Sequence, residues 1–286
     1  MRILLTGRTG QVGSALVTAL TPLGELHAFD RQGLDLLDLK SIRTKIQREK
    51  PDIIINAAAY TAVDRAEQEK DIAFAVNFQG VKELAREAKS IDALLIHFST
   101  DYVFDGEKAS PYVETDAPNP LGVYGRSKLE GERAVAASGC RHFIFRTSWI
   151  YGPTGRNFVN AILAAAKRKP ELRVVNDQHG APTSSLAIAA AVARMLADPS
   201  LQKKPGGIYH MTAAGATTWY EFAKEILALN GLRTPVVPVS SAEYGAPVRR
   251  PKNSLLDNAK LQQVFGVALP DWRQGLREVS SKIEPH

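Results

Sequence analysis

Short apolar runs alternate with longer mixed stretches through the first half of the chain. The runs predict five strands, at residues 2–6, 25–30, 53–59, 94–100 and 142–150. The stretches between them predict helices, at residues 14–20, 40–50, 71–90 and 121–137. Continuous apolar runs are typical of strands buried on both faces of a parallel sheet, and strands that alternate with helices form such sheets through right-handed crossovers. The pattern therefore predicts an α/β fold.

The alternation loosens beyond residue 150. Strands are predicted at residues 172–175 and 207–212, and helices at residues 157–169, 219–229, 261–265 and 272–283. We predict a dinucleotide-binding domain over residues 1–150 and a smaller α/β substrate domain over residues 151–286. The second part is expected to be interleaved with the first rather than joined to it by a linker.

Three glycines follow the first strand. Gly7, Gly10 and Gly13 have the spacing G-x-x-G-x-x-G, and a helical stretch follows at once. Gly7 permits a tight turn, Gly10 leaves room for a diphosphate against the backbone, and Gly13 lets the helix pack close to the strand. Free N–H groups at a helix N-terminus also favour an anion. An ordinary glycine turn is the alternative. The strand–turn–helix context favours a Rossmann-type, doubly wound parallel sheet that binds a dinucleotide.

The second predicted strand ends in an acid followed by a base. An acid at the position of Asp30 bonds the adenosine ribose hydroxyls in dinucleotide-binding units, which favours NAD. Arg31, helped by Arg8 of the glycine loop, could hold a 2′-phosphate, which favours NADP. Asp30 could also be a simple turn residue. We expect that the protein uses both NADH and NADPH, with a preference for NADPH.

A tyrosine and a lysine, Tyr124 and Lys128, stand four residues apart in a predicted helix, and so lie on one helix face. A nearby ammonium lowers the pKa of a phenol, and bringing that pKa to about 7 requires roughly 4 kcal/mol. Such a tyrosine is a usable general acid or base. Tyr220 and Lys224 repeat the spacing. The first pair is favoured because it follows a strand that ends in hydroxyls, where open α/β sheets bind ligands.

Composition narrows the classes of partner. The net charge is +6, and the basic residues are scattered along the chain. A nucleic-acid-binding protein would more often show a basic stripe or tail, whereas a modest positive charge suits small anionic substrates. Cys140 is the only cysteine, which excludes an intrachain disulfide and fits the cytoplasm. We find no apolar run long enough to span a bilayer, so no membrane partner is expected.

These motifs occur together in one known superfamily. Residues 6–13, 56–59 and 99–106, with Tyr124-x-x-x-Lys128, resemble the extended short-chain dehydrogenase/reductases. Within this superfamily the chain is most similar to the sugar-nucleotide reductases, because of the motifs at residues 62–64, 180–183 and 250–254. The resemblance implies NAD(P)H-dependent reduction of the C4 keto group of dTDP-4-dehydro-L-rhamnose, the last step of dTDP-rhamnose synthesis.

The resemblance also implies roles for particular residues. Tyr124 would donate the proton to the carbonyl oxygen, Lys128 would bind the nicotinamide ribose and lower the pKa of Tyr124, and Thr100 would bond the sugar near its reacting oxygen. Substrate contacts would come from Thr100, Asp101, Tyr102 and Trp149, although core packing is an equally good interpretation of Trp149. Cofactor contacts would come from Gly7, Gly10, Gln11, Val12, Gly13, Asp30, Arg31, Asp35, Leu36, Ala59, Tyr60, Thr61, Tyr124 and Lys128.

One departure from the family concerns a metal. Some bacterial relatives dimerise through a magnesium site built from glutamates, and two of those positions are Ala15 and Leu186 here. Neither side chain offers the oxygen ligands that magnesium requires. We therefore predict no metal site, a monomer or a weak homodimer, and a dTDP-sugar as the small-molecule partner.

Two other functions stay open. The chain could be another sugar-nucleotide reductase or epimerase of the superfamily, or a catalytically idle, NADP-binding regulatory subunit. The presence of Thr100, Tyr124 and Lys128 together argues against an idle site.

Overall fold

The computed structural model describes residues 1–283 of the 286-residue chain. The strands are, in chain order, β1 Arg2–Thr6, β2 Glu25–Phe29, β3 Ile53–Asn56, β4 Leu94–Thr100, β5 His142–Thr147, β6 Ile150–Tyr151, β7 Leu172–Val175, β8 His179–Gly180, β9 Thr183–Ser184, β10 Gly207–His210, β11 Thr217–Thr218 and β12 Val236–Val239.

The helices connect and cover these strands. They are α1 Gln11–Leu20, α2 Leu39–Glu49, α3 Val63–Ala66, α4 Lys70–Phe74, α5 Val81–Ser90, α6 Val123–Ala137, α7 Phe158–Ala166, α8 Ser185–Leu196, α9 Trp219–Leu229, α10 Ser241–Tyr244, α11 Ala259–Phe265 and α12 Trp272–Ser280. Each helix among residues 1–283 is too short or too polar to cross a membrane.

The main sheet has six parallel strands in the order β2-β1-β3-β4-β5-β10. Alternate side chains of its strands enter separate cores: Ile3 and Ile55 face one core, while Leu4 and Ile54 face the other. Helices cover both faces, so the predicted doubly wound, Rossmann-type sheet is confirmed. The chain leaves β1 for β2 on one side and then returns to β3 on the other. Ligands bind at such a reversal of strand order, beyond the carboxyl ends of the strands.

Late parts of the chain build on this sheet. β10 pairs with β5 at the sheet edge, and α8 packs against α1. The pairs β6-β9, β7-β12 and β8-β11 form small two-stranded sheets, and a separate core surrounds Phe222 and Trp272. The division into domains at residue 150 stays a prediction.

The predicted helix at residues 71–90 is interrupted in the structure. A π-helical turn, Ala75–Gly80, lies between α4 and α5. Within it, the buried Asn77 accepts the Tyr60 amide N–H through Oδ1 (2.8 Å) and donates through Nδ2 to the Tyr60 carbonyl (3.0 Å). The wider turn thus ties the segment that follows β3 to the helices beside it.

Candidate active site

The glycine loop closes tightly where the strand order reverses. Gly7 has φ +73°, and a Cβ added to it would lie 2.7 Å from the Ala58 nitrogen. A Cβ on Gly13 would lie 1.9 Å from the Gly7 carbonyl oxygen. Gly10 instead caps α1 without a side chain and faces open space beyond the Gly7 carbonyl. The loop therefore presents bare backbone, which is what a diphosphate needs to approach a helix N-terminus.

Gln11 and Val12 follow Gly10 but point different ways. The Gln11 side chain donates through Nε2 to the Thr154 carbonyl (2.6 Å), which ties the glycine loop to residues 152–157. Val12 is buried in the core between α1 and the sheet. Only its backbone can face a ligand.

Charged side chains surround the end of β2. Asp30 accepts the Gly33 amide N–H (3.0 Å) through Oδ1, and its Oδ2 lies 3.9 Å from Arg8 Nε. Arg31 is well exposed and donates to Asp35 Oδ2 (3.1 Å). Asp30 thus acts partly as the turn residue considered as the alternative, yet two guanidinium groups lie beside it. Leu36 is buried and packs on Gly80, so its side chain belongs to the core.

The segment after β3 supplies small residues and one tyrosine. Ala59 is partly buried and Thr61 is exposed. The Tyr60 hydroxyl donates to Glu69 Oε2 (2.7 Å), and its ring packs in the same apolar cluster as Tyr124. The structure therefore brings this segment, the glycine loop and the start of α6 to one edge of the sheet.

Four polar side chains meet where β4 ends. The Thr100 hydroxyl donates to Asp101 Oδ1 (3.1 Å), and Thr100 also bonds the Tyr124 phenol. The rings of Tyr102 and Tyr124 meet edge to face, with 5.5 Å between centroids. Burial, opposed by hydrogen bonds from Ser254 and Thr100, raises the pKa of Asp101 to about 6.

Lys128 lies on the same helix face as Tyr124, but its ammonium points to the strand. Nζ donates to the Phe98 carbonyl oxygen (2.6 Å) and lies 3.5 Å from His97 Nε2. The side chain is almost fully buried. Burial lowers the pKa of Lys128 to about 8, and the Glu132 carboxylate one turn along α6 opposes that fall.

The predicted fall in the pKa of Tyr124 is wrong. Burial, opposed by a hydrogen bond with Thr100 and helped by the Asp101 carboxylate, raises the pKa of Tyr124 to about 12. The spacing put Lys128 on the right face, but the ammonium is held by the Phe98 carbonyl instead of facing the phenol. The phenol of Tyr124 carries its proton at neutral pH and so can donate one, but the raised pKa makes it a weaker acid than an ordinary tyrosine.

Trp149, just after β5, has a strained backbone and a stacked ring. Its φ is +48°, a conformation that bulky residues rarely adopt and that costs on the order of 1–3 kcal/mol. Its ring stacks on that of Trp219, with 3.6 Å between centroids and 10° between planes. A Cβ on Gly180 would lie 2.4 Å from the Trp149 ring. Both tryptophans stay partly exposed, and Trp219 also packs against the core around Phe222, so the pair forms an aromatic wall at the rim of that core.

Two features of this region were missed by the sequence. The sequence predicts only that Trp219 begins a helix and that Arg250 belongs to the motif at residues 250–254. Arg250 Nη2 donates to both carboxylate oxygens of Asp64 (2.9 Å each), and its Nε is buried without a partner among residues 1–283. Its charge also acts on Tyr102. An Arg-Pro dipeptide after a helix gave no signal that would have placed it here.

The second Tyr-x-x-x-Lys pair lies elsewhere. Tyr220 packs against the core around Phe222, and Lys224 Nζ lies 5.1 Å from the centre of the Tyr220 ring. Lys224 also binds Glu221 at the surface. These contacts are those of a packing residue, which supports the choice of Tyr124.

The residues fit a dinucleotide better than a metal. Bare backbone at Gly7, Gly10 and Gly13 forms a cradle, and a Cβ at Gly7 or Gly13 would collide with neighbouring backbone and prevent the loop from closing in this way. Within residues 1–283, no three His, Cys, Asp or Glu side chains are grouped so that they could hold a metal ion. Ala15 of α1 is buried in the core that α1 shares with the sheet, and Leu186 of α8 is partly buried against two cores.

Comparisons with known proteins agree with this geometry. A family model described as the RmlD substrate binding domain matches residues 1–284. The chain is 42% identical over 297 residues to the dTDP-4-dehydrorhamnose reductase of Escherichia coli, covering 99% of this chain and 98% of that protein. It is 43% identical over 285 residues to the enzyme of the same name from Burkholderia thailandensis, covering 96% of each.

Solved structures are similar as well. The fold matches the crystal structure of dTDP-4-dehydrorhamnose reductase from Bacillus anthracis in complex with NADP, with a TM-score of 0.93 and 36% identity. That match covers 98% of this chain and 99% of the other.

Proposed function

The chain belongs to the RmlD substrate binding domain family, and from this premise we propose that it is a dTDP-4-dehydrorhamnose reductase that uses NAD(P)H. The reaction reduces the C4 keto group of dTDP-4-dehydro-L-rhamnose to the alcohol of dTDP-L-rhamnose. Relatives of that name, at about 40% identity over almost the full chain, support the assignment.

One observation of the site carries the proposal. Thr100, Asp101 and Tyr124 meet at the carboxyl end of β4, one strand from the crevice between β1 and β3. A hydroxyl and a protonated phenol at this point can both reach one carbonyl oxygen. They lie at the edge of the sheet where the glycine cradle opens.

The chemistry balances with groups of this chain. The reduced nicotinamide, when bound, supplies the hydride, and with it the two electrons, to the C4 carbon. Tyr124 donates its proton to the carbonyl oxygen and is later reprotonated from solvent. Its raised pKa, about 12, makes the phenol the dominant form at neutral pH. Thr100 would turn its single hydroxyl hydrogen from Asp101 Oδ1 to the same oxygen, and would there stabilise the negative charge that develops.

Other residues would hold the two ligands. We assign the diphosphate of the cofactor to the backbone around Gly10 and Gln11, and the adenosine end to Asp30 and Arg31. Lys128 would bond the nicotinamide ribose. Asp35, Ala59 and Thr61 would contact the cofactor through side chains or backbone. Val12, Leu36 and Tyr60 would contact it through backbone.

The substrate would lie on the side of Tyr124 opposite to the cofactor. Trp149 and Trp219 form an aromatic wall against which a sugar ring can pack. Arg250 is a cation near Tyr102 that could meet the diphosphate of a dTDP-sugar, and a substrate of that charge suits the positive net charge of the chain. A cytoplasmic location is part of the proposal and rests on the free, buried Cys140.

The test is an NADPH-oxidation assay with identified product. Purified protein is mixed with dTDP-4-dehydro-L-rhamnose and either cofactor, and the product is analysed by mass and by sugar stereochemistry. We expect stoichiometric oxidation and dTDP-L-rhamnose. The Tyr124→Phe variant is the matched control for contaminating reductases. A product with unchanged oxidation state would indicate an epimerase, and the absence of turnover with several 4-keto sugar nucleotides would contradict the proposal.

A further inference from the structure

A buried hydrogen-bonded chain connects the end of β1 to Lys128. Thr6 Oγ1 donates to Asn56 Oδ1 (2.6 Å), Asn56 Nδ2 faces His97 Nδ1 (3.0 Å), and His97 Nε2 faces Lys128 Nζ (3.5 Å). All four residues are at most 2% exposed. The chain crosses β1, β3 and β4 and ends on α6. None of its first three members is among the residues assigned above to the cofactor or the substrate.

The orientation of the Asn56 amide follows from a backbone group. The Ala58 N–H lies 3.2 Å from Asn56 Oδ1 and can only donate. The oxygen of the amide must therefore face Ala58 and the Thr6 hydroxyl, and the NH₂ group must face His97. An inverted amide would place two donors against each other at Ala58, and amide orientations are assigned from such networks.

The amide orientation in turn fixes the tautomer of His97. Because the Asn56 NH₂ donates to Nδ1, that nitrogen must be the acceptor of the ring. Burial, helped by the charge of Lys128, lowers the pKa of His97 well below its usual range, so the ring is neutral. A neutral ring that accepts at Nδ1 carries its hydrogen at Nε2. His97 therefore points an N–H at Lys128 Nζ.

That N–H discriminates between the two forms of Lys128. An ammonium has three donors and no lone pair, whereas the neutral amine has a lone pair that can accept the His97 N–H. We propose that His97 is a positioning residue whose Nε2–H, oriented by Asn56 and the Ala58 amide, favours the amine form of Lys128 and lets it exchange its proton near neutral pH. The inference rests on the proposed function, in which Lys128 binds the cofactor ribose beside the proton donor.

The pKa of Lys128 also depends on the other titratable and charged groups around it. Glu132 lies one turn along α6 and favours the ammonium. Its carboxylate is itself engaged by Arg146, through Nε (2.9 Å) and Nη2 (2.6 Å), and by the Ser99 hydroxyl. Tyr124, one turn before Lys128, is neutral at physiological pH. The balance is consistent with the lowered pKa of Lys128, for which burial is the main cause.

The first experiment reads the tautomer without any turnover. Nitrogen NMR of the protein with isotope-labelled histidine distinguishes protonated from bare ring nitrogens, and the His97→Gln variant identifies the signals of His97. We expect Nε2 to carry the hydrogen and Nδ1 to be bare between pH 6 and about 9, because the ring does not titrate there. A hydrogen at Nδ1 in the unaltered protein would overturn the proposal.

The second experiment reverses the direction of the hydrogen bonds between Asn56, His97 and Lys128. Asn56→Asp replaces the NH₂ donor by an oxygen that accepts, so His97 should move its hydrogen to Nδ1 and offer a lone pair to Lys128. The Lys128 titration, followed by NMR of labelled lysine, should then move upward by about one pH unit or more, a tenfold change in proton affinity. The basic limb of the pH dependence of kcat/KM should move with it. The new carboxylate also raises the pKa of Lys128 by its charge, so the His97 tautomer is read in the same variant: a raised titration with the hydrogen still at Nε2 would overturn the inference. Thr6→Val is the control, because it leaves the Ala58 N–H and the Asn56 amide in place and should preserve the tautomer.

The outcomes separate this inference from the proposed function. A reversed tautomer with an unchanged Lys128 titration would overturn the inference, even in an active enzyme. A shifted titration in a protein that reduces no 4-keto sugar would support the inference and contradict the function. If Asn56→Asp does not fold, the tautomer in the unaltered protein remains decisive. A variant that only lowers Tm, with tautomer and titration unchanged, would indicate a purely structural chain.

Discussion

The Thr100 hydroxyl donates to Asp101 Oδ1 across 3.1 Å, while Asp101 Oδ2 is buried with no hydrogen-bond partner among residues 1–283. An ionised carboxylate in this position is poorly solvated, which is why the pKa of Asp101 rises to about 6 from an ordinary 3.8. Asp101 lies in the candidate active site. Its buried carboxylate therefore lowers the stability of the folded protein at the place where the chemistry is proposed.

We expect Asp101→Asn to stabilise the protein at neutral pH. Between pH 3.8 and about 6 the folded state binds more protons at Asp101 than the unfolded state, so its contribution to stability is lost as pH rises through that window. The loss is of the order of 3 kcal/mol, and the amide removes it. Urea unfolding at pH 4.5 and pH 8 should give a small difference between the two proteins at the lower pH and a clear gain for the variant at the higher.

Asp105 provides the opposite control. Its carboxylate accepts the Glu107 amide N–H and the side chains of Asn119 and Tyr112, which lower its pKa. Asp105→Asn should therefore destabilise the protein at neutral pH and have less effect in acid. Similar pH dependence for both variants would contradict the assignment to Asp101 burial.

The Tyr124→Phe substitution removes the proposed proton donor and keeps the ring. General acid catalysis contributes about 10²–10⁴-fold, so kcat should fall by that order while the Kd for NADPH barely changes. Tyr220→Phe is the matched control and should leave kcat within about twofold, with a stability change of roughly 1 kcal/mol or less. An inactive, folded Tyr220→Phe beside a normal Tyr124→Phe would mean that the catalytic face was wrongly chosen.

Arg31→Ala should separate the two cofactors. Arg31 is exposed and pairs with Asp35 at the adenosine end of the proposed site. There its guanidinium can bind the 2′-phosphate that NADPH carries and NADH lacks. We expect kcat/KM to fall more for NADPH than for NADH. Arg48→Ala changes an exposed arginine of α2 that pairs with Glu49 and should affect neither. Equal losses with both cofactors would show that Arg31 does not bind the phosphate.

Trp219→Leu tests the aromatic wall by removing the ring that stacks on Trp149. Stacked aromatic pairs are worth about 0.5–1.5 kcal/mol beyond buried area, and the loss would free the strained Trp149 to move. KM for the dTDP-sugar should rise by about 2–10-fold, with KM for NADPH unchanged. Trp219→Tyr, which keeps a stacking ring, should recover most of the effect. A parallel rise in both KM values would indicate general loosening instead.

Assembly should not depend on a divalent metal. Ala15 and Leu186 offer no oxygen ligands, and both pack inside the chain between α1, α8 and the neighbouring cores. We expect one sedimentation mass, that of a monomer or a weak dimer, with and without chelator. A fall in mass on adding chelator would reveal a metal bridge.

The parts that the sequence predicted depend on local signals. The apolar runs of β1, β3 and β4, the spacing of the three glycines and the Tyr124–Lys128 interval each follow from neighbours in the chain. They lie where expected, except that β3 ends at Asn56 and not at residue 59. The direction of the pKa shift of Tyr124 could not be predicted in this way, because it depends on burial by segments that are distant in the sequence. The stacking of Trp219 on Trp149 and the pairing of Arg250 with Asp64 join residues 70 to 186 positions apart, and no periodicity carries that information.

The position of β10 at the edge of the sheet has a consequence for synthesis of the protein. When a ribosome has released only the first 200 residues, β5 has no partner on its outer side, since that partner is Gly207–His210. The exposed edge includes Phe143 and Phe145, apolar residues that are buried in the finished protein. Unpaired apolar edges invite pairing with other chains. The nascent chain is therefore most vulnerable to aggregation late in translation, and truncation before residue 207 should yield insoluble protein rather than a free nucleotide-binding half.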